Sequence, residues 1–201
     1  MSKGTNKKQS HQEDRKLVED FQANINSAFD KLVIKYKNIV FNLCYRILGD
    51  HDEANDCAQD TFVKVYKNLK NYQFRSSFST WLYTIAVNTC KNRLSSLDYR
   101  FNKRMARIDH PGNAENRQQK IEILDLSFNP DQIFERREKA RLIEEAIDSL
   151  PLKQRVMIVL RDIEGKSYEE IASITGYKPG TVKSRLARAR QHLRDRLRGI
   201  I

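Results

Sequence analysis

The segment from Lys178 to Arg198 carries side chains that could bind a nucleic acid. It contains eight lysines and arginines against one acid, Asp195. At about 100° per residue, apolar side chains fall on one side of a helix there, while hydroxyl and guanidinium groups fall on the other. Such donors can reach base edges and phosphates in a major groove. The candidate DNA contacts are Lys178, Thr181, Lys183, Ser184, Arg185 and Arg188.

The residues before this segment have the pattern of a helix-turn-helix. Ser167 and Glu170 are spaced for a capping box, which predicts a helix start. Gly176 is placed to end that short helix, and Pro179 stands near the first position of the next one. A solvated basic face on an ordinary terminal helix would explain the charge, but it would not explain this turn. The pattern therefore favours a DNA-binding motif.

A second candidate surface for DNA is the segment from Lys70 to Ser77, which has no helical period. It combines cations that can hold a phosphate backbone, aromatic faces for base stacking, and small polar groups for an extruded base. Polar residues of the helix that follows extend this surface. The candidates are Lys70, Asn71, Tyr72, Phe74, Arg75, Ser76, Asn88, Lys91, Asn92 and Arg93. From these residues alone, a surface loop without a ligand remains an open interpretation.

The helix predicted before that loop carries a row of acids. Asp52, Asp56 and Asp60 are four residues apart and line one face, with Gln59 and Phe62 beside them. Because like charges in a row repel, the row is either a solvated surface or an interface with a basic or polar partner. On a chain of net charge +11, a protein partner explains an acidic patch better than DNA does.

Composition predicts the fold that positions these residues. Seven glycines and four prolines among 201 residues provide too few turns for a many-stranded barrel or sandwich, so we expect an all-α protein. Apolar periodicity predicts two small helical domains joined by a flexible linker, the second being the helix-turn-helix. We divide the chain into a polar tail (1–19), a helical domain (20–98), a linker (99–130) and a second helical domain (131–201). Helices of the second domain are predicted over 131–150, 152–163, 168–175 and about 178–198.

Several classes of protein do not fit the sequence. Phosphate-binding loops, dinucleotide motifs and HExxH are not found, and the four histidines are isolated, so we expect no catalysis, metal or cofactor. Cys44, Cys57 and Cys90 have no CxxC spacing and are expected to be ordinary buried thiols. No apolar run approaches roughly 18 residues, and the first sixteen residues contain no apolar stretch. We therefore expect a cytoplasmic chain without membrane insertion.

Two stretches resemble those of a known family. LPLKQRVMIVLRDIEGKSYEEIASITGYKPGTVKSRLARARQHLR resembles region 4 of bacterial extracytoplasmic-function sigma factors. DHDEANDCAQDTFVKVYKNL and FSTWLYTIAVNTCKNRL resemble their region 2. The resemblance implies that the helix-turn-helix recognises the upstream promoter element, and that the first domain recognises and opens the downstream element. It also implies that the acidic face binds the coiled coil of the largest RNA polymerase subunit, and that an anti-sigma factor inhibits the protein.

The chain departs from the family pattern at three positions. Asn55 stands where an acid often follows the alanine, Phe74 where the loop often has glycine, and Asn92 where an aspartate commonly precedes the arginine. The first affects individual polymerase contacts, the second affects the shape of the loop, and the third affects preference for the downstream element.

Two other interpretations stay open at this point. The first is a free-standing helix-turn-helix regulator whose N-terminal domain senses a ligand or dimerises. A dimeric regulator binds two-fold symmetric half-sites without polymerase, whereas a sigma factor needs the core enzyme and two asymmetric elements. The second, a basic protein of the membrane surface, fits less well because the terminal helix lacks large aromatics on its apolar face.

Overall fold

The computed structural model describes residues 3–96 and 130–198, with side chains over 9–96 and 138–198. Regular structure in these ranges is helical, which confirms the all-α prediction. The linker expected over 99–130 lies outside the described residues apart from Pro130. The elements are α1 (Lys3–Gln22), α2 (Ser27–Leu48), α3 (His51–Leu69), α4 (Phe78–Ser95), α5 (Pro130–Asp148), α6 (Leu152–Ile158), a π-helical segment (Val159–Ile163), α7 (Tyr168–Thr175) and α8 (Pro179–Leu197).

The prediction of a polar tail over 1–19 is wrong, because Lys3–Gln22 form helix α1. Val18 and Phe21 of α1 are buried in the core. Asp14 is also buried, and it accepts hydrogen bonds from the Tyr36 hydroxyl at 2.6 Å and the Lys35 ammonium at 2.7 Å. Burial, together with this carboxylate, raises the pKa of Tyr36 well above its usual range. The prediction failed because a polar helix is held here by partners on α2, which local periodicity does not reveal.

Helices α2, α3 and α4 pack against one another and form the core of the N-terminal unit, α1–α4. Gly49 ends α2 in the left-handed conformation that suits glycine (φ 72°). Asp50 then begins α3 by accepting a hydrogen bond from the Glu53 N–H at 2.9 Å. Ser77 begins α4 in the same way through the Thr80 N–H at 3.2 Å. The Ser77 cap thus fixes the point where the loop over 70–77 enters α4.

Three thiols meet in this core, one from each of α2, α3 and α4. Cys44, Cys57 and Cys90 are all buried. Hydrogen bonding to the other two thiols, together with burial, raises the pKa of Cys90 far above its ordinary value. The hydrogen bond with Cys90 is also the main cause that lowers the pKa of Cys57. All three cysteines are free and buried, which confirms the prediction of buried thiols.

The C-terminal unit, α5–α8, contains the predicted helix-turn-helix. The capping box is complete, since Ser167 Oγ accepts from the Glu170 N–H at 3.1 Å and Glu170 Oε2 accepts from the Ser167 N–H at 2.8 Å. Gly176 ends α7 with φ 73°, and Pro179 occupies the first turn of α8. The sequence predicts a single helix over 152–163. In the structure its second half, Val159–Ile163, is π-helical, and the Glu164 N–H then donates to the Val159 carbonyl.

We predict that alanine substitutions at two isoleucines of α2 have very different effects on the free energy of unfolding. Ile47 is 0% exposed and Ile34 is 68% exposed on the same helix. Ile47→Ala should lower the free energy of unfolding by about 2–5 kcal/mol, because it leaves a cavity. Ile34→Ala should change it by less than about 0.5 kcal/mol. Urea denaturation measures both, and equal losses in the two variants would contradict this packing.

Candidate nucleic-acid and protein interfaces

Helix α8 presents its basic face to solvent because its apolar stripe is buried. Val182, Leu186 and Ala189 lie in the core of the C-terminal unit, as the periodicity predicts. Arg190 bonds Asp162 of the π-helical segment at 2.5 and 3.2 Å, which raises the pKa of Arg190 and fixes the helix laterally. Four of the six residues predicted to contact DNA from this segment are exposed: Lys178, Lys183, Ser184 and Arg188.

Arg185 and Thr181, the other two predicted contacts, are only half-exposed. The Arg185 guanidinium lies 3.8 Å from the centre of the Tyr177 ring, in the turn between α7 and α8. Lys91 of α4 lies over the same ring at 5.7 Å. Residues predicted to contact two different DNA elements therefore meet on a single aromatic ring where the two units touch.

Glu164 connects the two units through a half-buried carboxylate. Its side chain is 14% exposed, and it accepts hydrogen bonds from Arg46 of α2 at 2.8 Å and from the Tyr83 hydroxyl of α4 at 2.6 Å. Lys166 lies 3.9 Å above the Tyr83 ring. Burial, with Glu164 next in importance, raises the pKa of Tyr83 well above its usual range. Sequence reasoning missed this cluster because Arg46 and Glu164 are 118 residues apart and no local pattern pairs them.

Arg155 adds a second connection between the units. Its guanidinium donates to the Ile47 carbonyl at the end of α2, at 2.8 Å, and to the Asp148 carbonyl at the end of α5. Carbonyls in the last turn of a helix have no helical N–H partner, so one arginine satisfies two helix ends at once. These polar contacts accompany apolar packing, since buried residues of both units belong to one continuous hydrophobic cluster.

In the loop over 70–77, the aromatic residues point inward. Tyr72 is only 8% exposed, its ring packs against Phe74 and Trp81 at 4.9 and 4.8 Å, and its hydroxyl donates to the Ser76 carbonyl at 2.5 Å. Tyr72 therefore scaffolds the loop, which differs from the base-stacking surface expected of it. The half-buried Trp81 lies in this aromatic cluster and packs against the core.

Phe74 has a positive φ of 54°, where the resembling family often has glycine. The backbone thus keeps a left-handed turn despite carrying a side chain, which is costly for a bulky residue. The ring has a partner on its outer side, since the Arg15 guanidinium of α1 lies 5.2 Å from its centre. The position that departs from the family pattern is accommodated by a contact from α1.

Most of the polar candidates around this loop are exposed to solvent. Asn71, Arg75, Ser76, Asn88 and Asn92 are exposed, as is Lys70, whose ammonium also bonds Asn24 at 2.9 Å.

Arg93 differs from these exposed candidates. It donates to Glu53 at 2.5 Å and to Asp56 at 3.2 Å on α3. Pairing with Glu53 raises the pKa of Arg93. Arg93 therefore joins α4 to α3 rather than extending into solvent.

The acidic row on α3 lies on one exposed face, as its spacing predicts. Asp52, Asp56, Gln59 and Asp60 are exposed, and Phe62 is half-buried at the edge. Val63 and Tyr66 continue the same face and are 51% and 49% exposed. Sequence reasoning missed these two, although Val63 lies four residues after Gln59 and Tyr66 lies three after Val63. An acidic surface that ends in exposed apolar groups is typical of a protein interface.

Metal and membrane sites are not found in the part of the chain that the structure describes. Within residues 3–96 and 130–198, no group of three or more His, Cys, Asp or Glu side chains could hold a metal ion. In those same ranges, no helix has the length and apolar character needed to cross a bilayer.

Comparison with known proteins matches both units. Residues 32–99 match the family model for Sigma-70 region 2, and residues 140–193 match that for Sigma-70, region 4. The RNA polymerase sigma-H factor of Pseudomonas aeruginosa is 34% identical, covering 96% of this chain and 97% of that protein. The ECF RNA polymerase sigma-E factor of Escherichia coli is 36% identical, covering 94% and 96% respectively.

Two solved structures have the same arrangement of helices. CnrH, in complex with the cytosolic domain of CnrY, has a TM-score of 0.63 at 26% identity, covering 92% of this chain and 97% of that one. The sigma factor RpoE of Bartonella quintana, in complex with the anti-sigma factor NepR, has a TM-score of 0.58 at 25% identity, covering 85% and 97%.

The chain therefore belongs to the extracytoplasmic-function sigma factors of the sigma-70 family. It is a subunit that directs RNA polymerase to promoters, which confirms the prediction made from the two resembling stretches. A free-standing helix-turn-helix regulator is set aside because the match covers both units and not the DNA-binding motif alone.

We predict that Glu164→Gln loosens the contact between the units, because it removes the charge that faces Arg46. Spin labels at Asn42→Cys and Ser173→Cys would report the distance by pulsed EPR, since both positions are exposed and the native cysteines are buried. Longer distances should appear in this variant and not in Glu169→Gln, whose carboxylate is exposed on α7. An unchanged distance distribution in Glu164→Gln would show that the carboxylate does not hold the two units together.

Proposed function

We propose that this sigma factor uses three separate surfaces. The exposed face of α8, in the domain over 131–201, binds the upstream promoter element. The loop over 70–77 and the exposed face of α4, in the domain over 20–98, bind and open the downstream element. The acidic row on α3 binds core RNA polymerase. The observation that carries the proposal is that one chain exposes a basic helix-turn-helix and an acidic helix face on different units.

For the upstream element, the exposed residues of α8 divide by chemistry. Arg188 is suited to bidentate contact with a guanine edge or a phosphate, and Ser184 to a short hydrogen bond with a base. Lys178 and Lys183, near the start of the helix, are suited to the phosphate backbone. Thr181 and Arg185 join these contacts from positions that are now half-exposed.

For the downstream element, we assign different roles to the inner and outer parts of the loop. The Tyr72, Phe74 and Trp81 cluster holds the backbone in shape, while Asn71, Arg75 and other exposed groups of the loop meet an unstacked base and its phosphates. Opening a duplex costs stacking energy of a few kcal/mol per step. A preformed loop lowers the ordering entropy that base capture would otherwise add. The chain itself supplies recognition, and the polymerase supplies the chemistry of RNA synthesis.

The contact between the units restricts when DNA can bind. Lys91 and Arg185 share the ring of Tyr177, so each must leave this ring before it can contact DNA, and separation of α4 from α7 would free both. Core polymerase and the two promoter elements supply competing contacts that favour separation. An anti-sigma factor, such as the NepR protein in the complex with the related RpoE, is the partner we expect to oppose it. These partners place the action of the protein in the cytoplasm.

We predict that Asp60→Arg weakens binding to core RNA polymerase by roughly tenfold or more, because it reverses a charge in the acidic row. Asp60 is exposed, so thermal stability should be almost unchanged. Asp30→Arg on α2 is the matched control, since it makes the same charge change at another exposed position. Co-migration with core polymerase on size exclusion measures the effect. Full binding by Asp60→Arg would show that the acidic row is a solvated surface and not the interface with core polymerase.

We predict that Arg188→Ala lowers affinity for the upstream element by about 1–3 kcal/mol if Arg188 contacts a base, or chiefly reduces the salt dependence if it contacts phosphate. Lys153→Ala removes an exposed positive charge from α6 of the same unit and should have little effect. Promoter binding by the holoenzyme, titrated over a range of salt, measures both variants. Unchanged affinity and salt slope for Arg188→Ala would exclude this residue from DNA recognition.

A further inference from the structure

Helix α1 contacts the loop over 70–77, although it lies outside the matched region-2 segment, which begins at residue 32. The Gln22 side-chain amide donates to the Leu69 carbonyl at 3.1 Å and to the Tyr72 carbonyl at 2.9 Å. It also lies 3.4 Å from the Lys70 carbonyl. A single amide at the end of α1 therefore reaches three backbone groups where the chain leaves α3 and enters the loop.

These carbonyls control the direction in which the loop leaves α3. Leu69 is the last residue of α3, and the final carbonyls of a helix have no helical N–H ahead of them. The Tyr72 carbonyl belongs to the residue whose ring forms the centre of the loop's aromatic cluster. Fixing both carbonyls from one donor sets the path of the backbone between them.

Two further contacts tie α1 to the loop. Arg15 lies over the Phe74 ring at 5.2 Å, on the residue with positive φ. Lys70 bonds Asn24, which follows α1 and has φ 69°. Together with the Gln22 contacts, they reach the loop at Lys70, Tyr72 and Phe74.

Helix α1 is itself held rigidly against α2. The buried Asp14 carboxylate is satisfied by Tyr36 and Lys35, and Val18 and Phe21 are buried beside it. A buried carboxylate that is already paired cannot slide without losing its partners, which would leave an uncompensated charge. A displacement of α1 would therefore be transmitted to the loop through Gln22 and Arg15.

We propose that α1 positions the loop that reads the downstream element, and that Gln22 is the main positioning residue. The inference rests on the proposed function of the loop over 70–77. Gln22 does not touch DNA itself; it acts by holding the Leu69 and Tyr72 carbonyls. Base discrimination in the downstream element then depends on a helix outside the segment that the family model matches.

The test uses three variants in the holoenzyme with core RNA polymerase. Gln22→Met keeps the size of the side chain and removes the donor, whereas Gln12→Met makes the same change at an exposed position of α1. Ile47→Ala leaves a cavity in the core on α2 and keeps α1 and its side chains toward the loop unchanged. The probes are fluorescent single strands carrying the downstream element of a promoter mapped by run-off transcription, and the same strand with that element scrambled.

Gln22→Met should bind the promoter strand about five- to tenfold more weakly, with loss of preference over the scrambled strand. Its core affinity should match that of Gln12→Met, and its melting temperature should fall by less than that of Ile47→Ala. Ile47→Ala should melt at the lowest temperature of the set but keep its preference between strands.

The proposal is overturned if Gln22→Met retains its preference, or if Ile47→Ala loses preference to the same extent, since lowered stability alone would then explain the loss. A failure of the proposed function is distinguishable from both results. In that case the unmodified holoenzyme would itself bind the two strands equally, and the positioning role would fall with the function of the loop.

Discussion

Helix α4 is constrained on two sides, and the rest of the structure depends on this double contact. One side packs against α2 and α3 in the N-terminal core, and the other meets α7 of the C-terminal unit. Glu164 is central to the second contact because a half-buried carboxylate is stable only when its charge is paired and hydrogen-bonded. Such pairs offset the cost of desolvation with little net gain. The polar pair thus helps to define one arrangement of the two units, beside the apolar cluster that they share.

The same constraint explains why the candidate surfaces differ in accessibility. The acidic row on α3 and the outer face of α8 point away from the contact and are open to partners. Lys91 and Arg185 lie within it and share the Tyr177 ring. The loop over 70–77 occupies a third environment, because its aromatic residues face inward and α1 covers one side. Core polymerase can thus reach the acidic row in this arrangement, whereas Lys91 and Arg185 must leave the Tyr177 ring before they can contact DNA.

Local sequence patterns predicted much of this fold. The capping box at Ser167 and the glycine at 176 located α7 correctly, and the apolar stripe of α8 predicted which face is buried. The contacts that local patterns did not predict are made with partners that are distant in the chain. Helix α1 is held by Asp14 against Tyr36, Arg93 pairs with α3, and Tyr72 turns inward onto Trp81. Residue type and spacing suggest what a side chain can bind, but not which neighbour binds it first.

Run-off transcription with purified core RNA polymerase on a fragmented genomic library tests the central claim most directly. The account predicts discrete start sites that depend on this protein, each preceded by two dissimilar elements at a fixed separation. Neither element should be bound strongly by the protein without core enzyme. Protection of two-fold symmetric sites by the protein alone, with no transcripts that depend on it, would contradict the account.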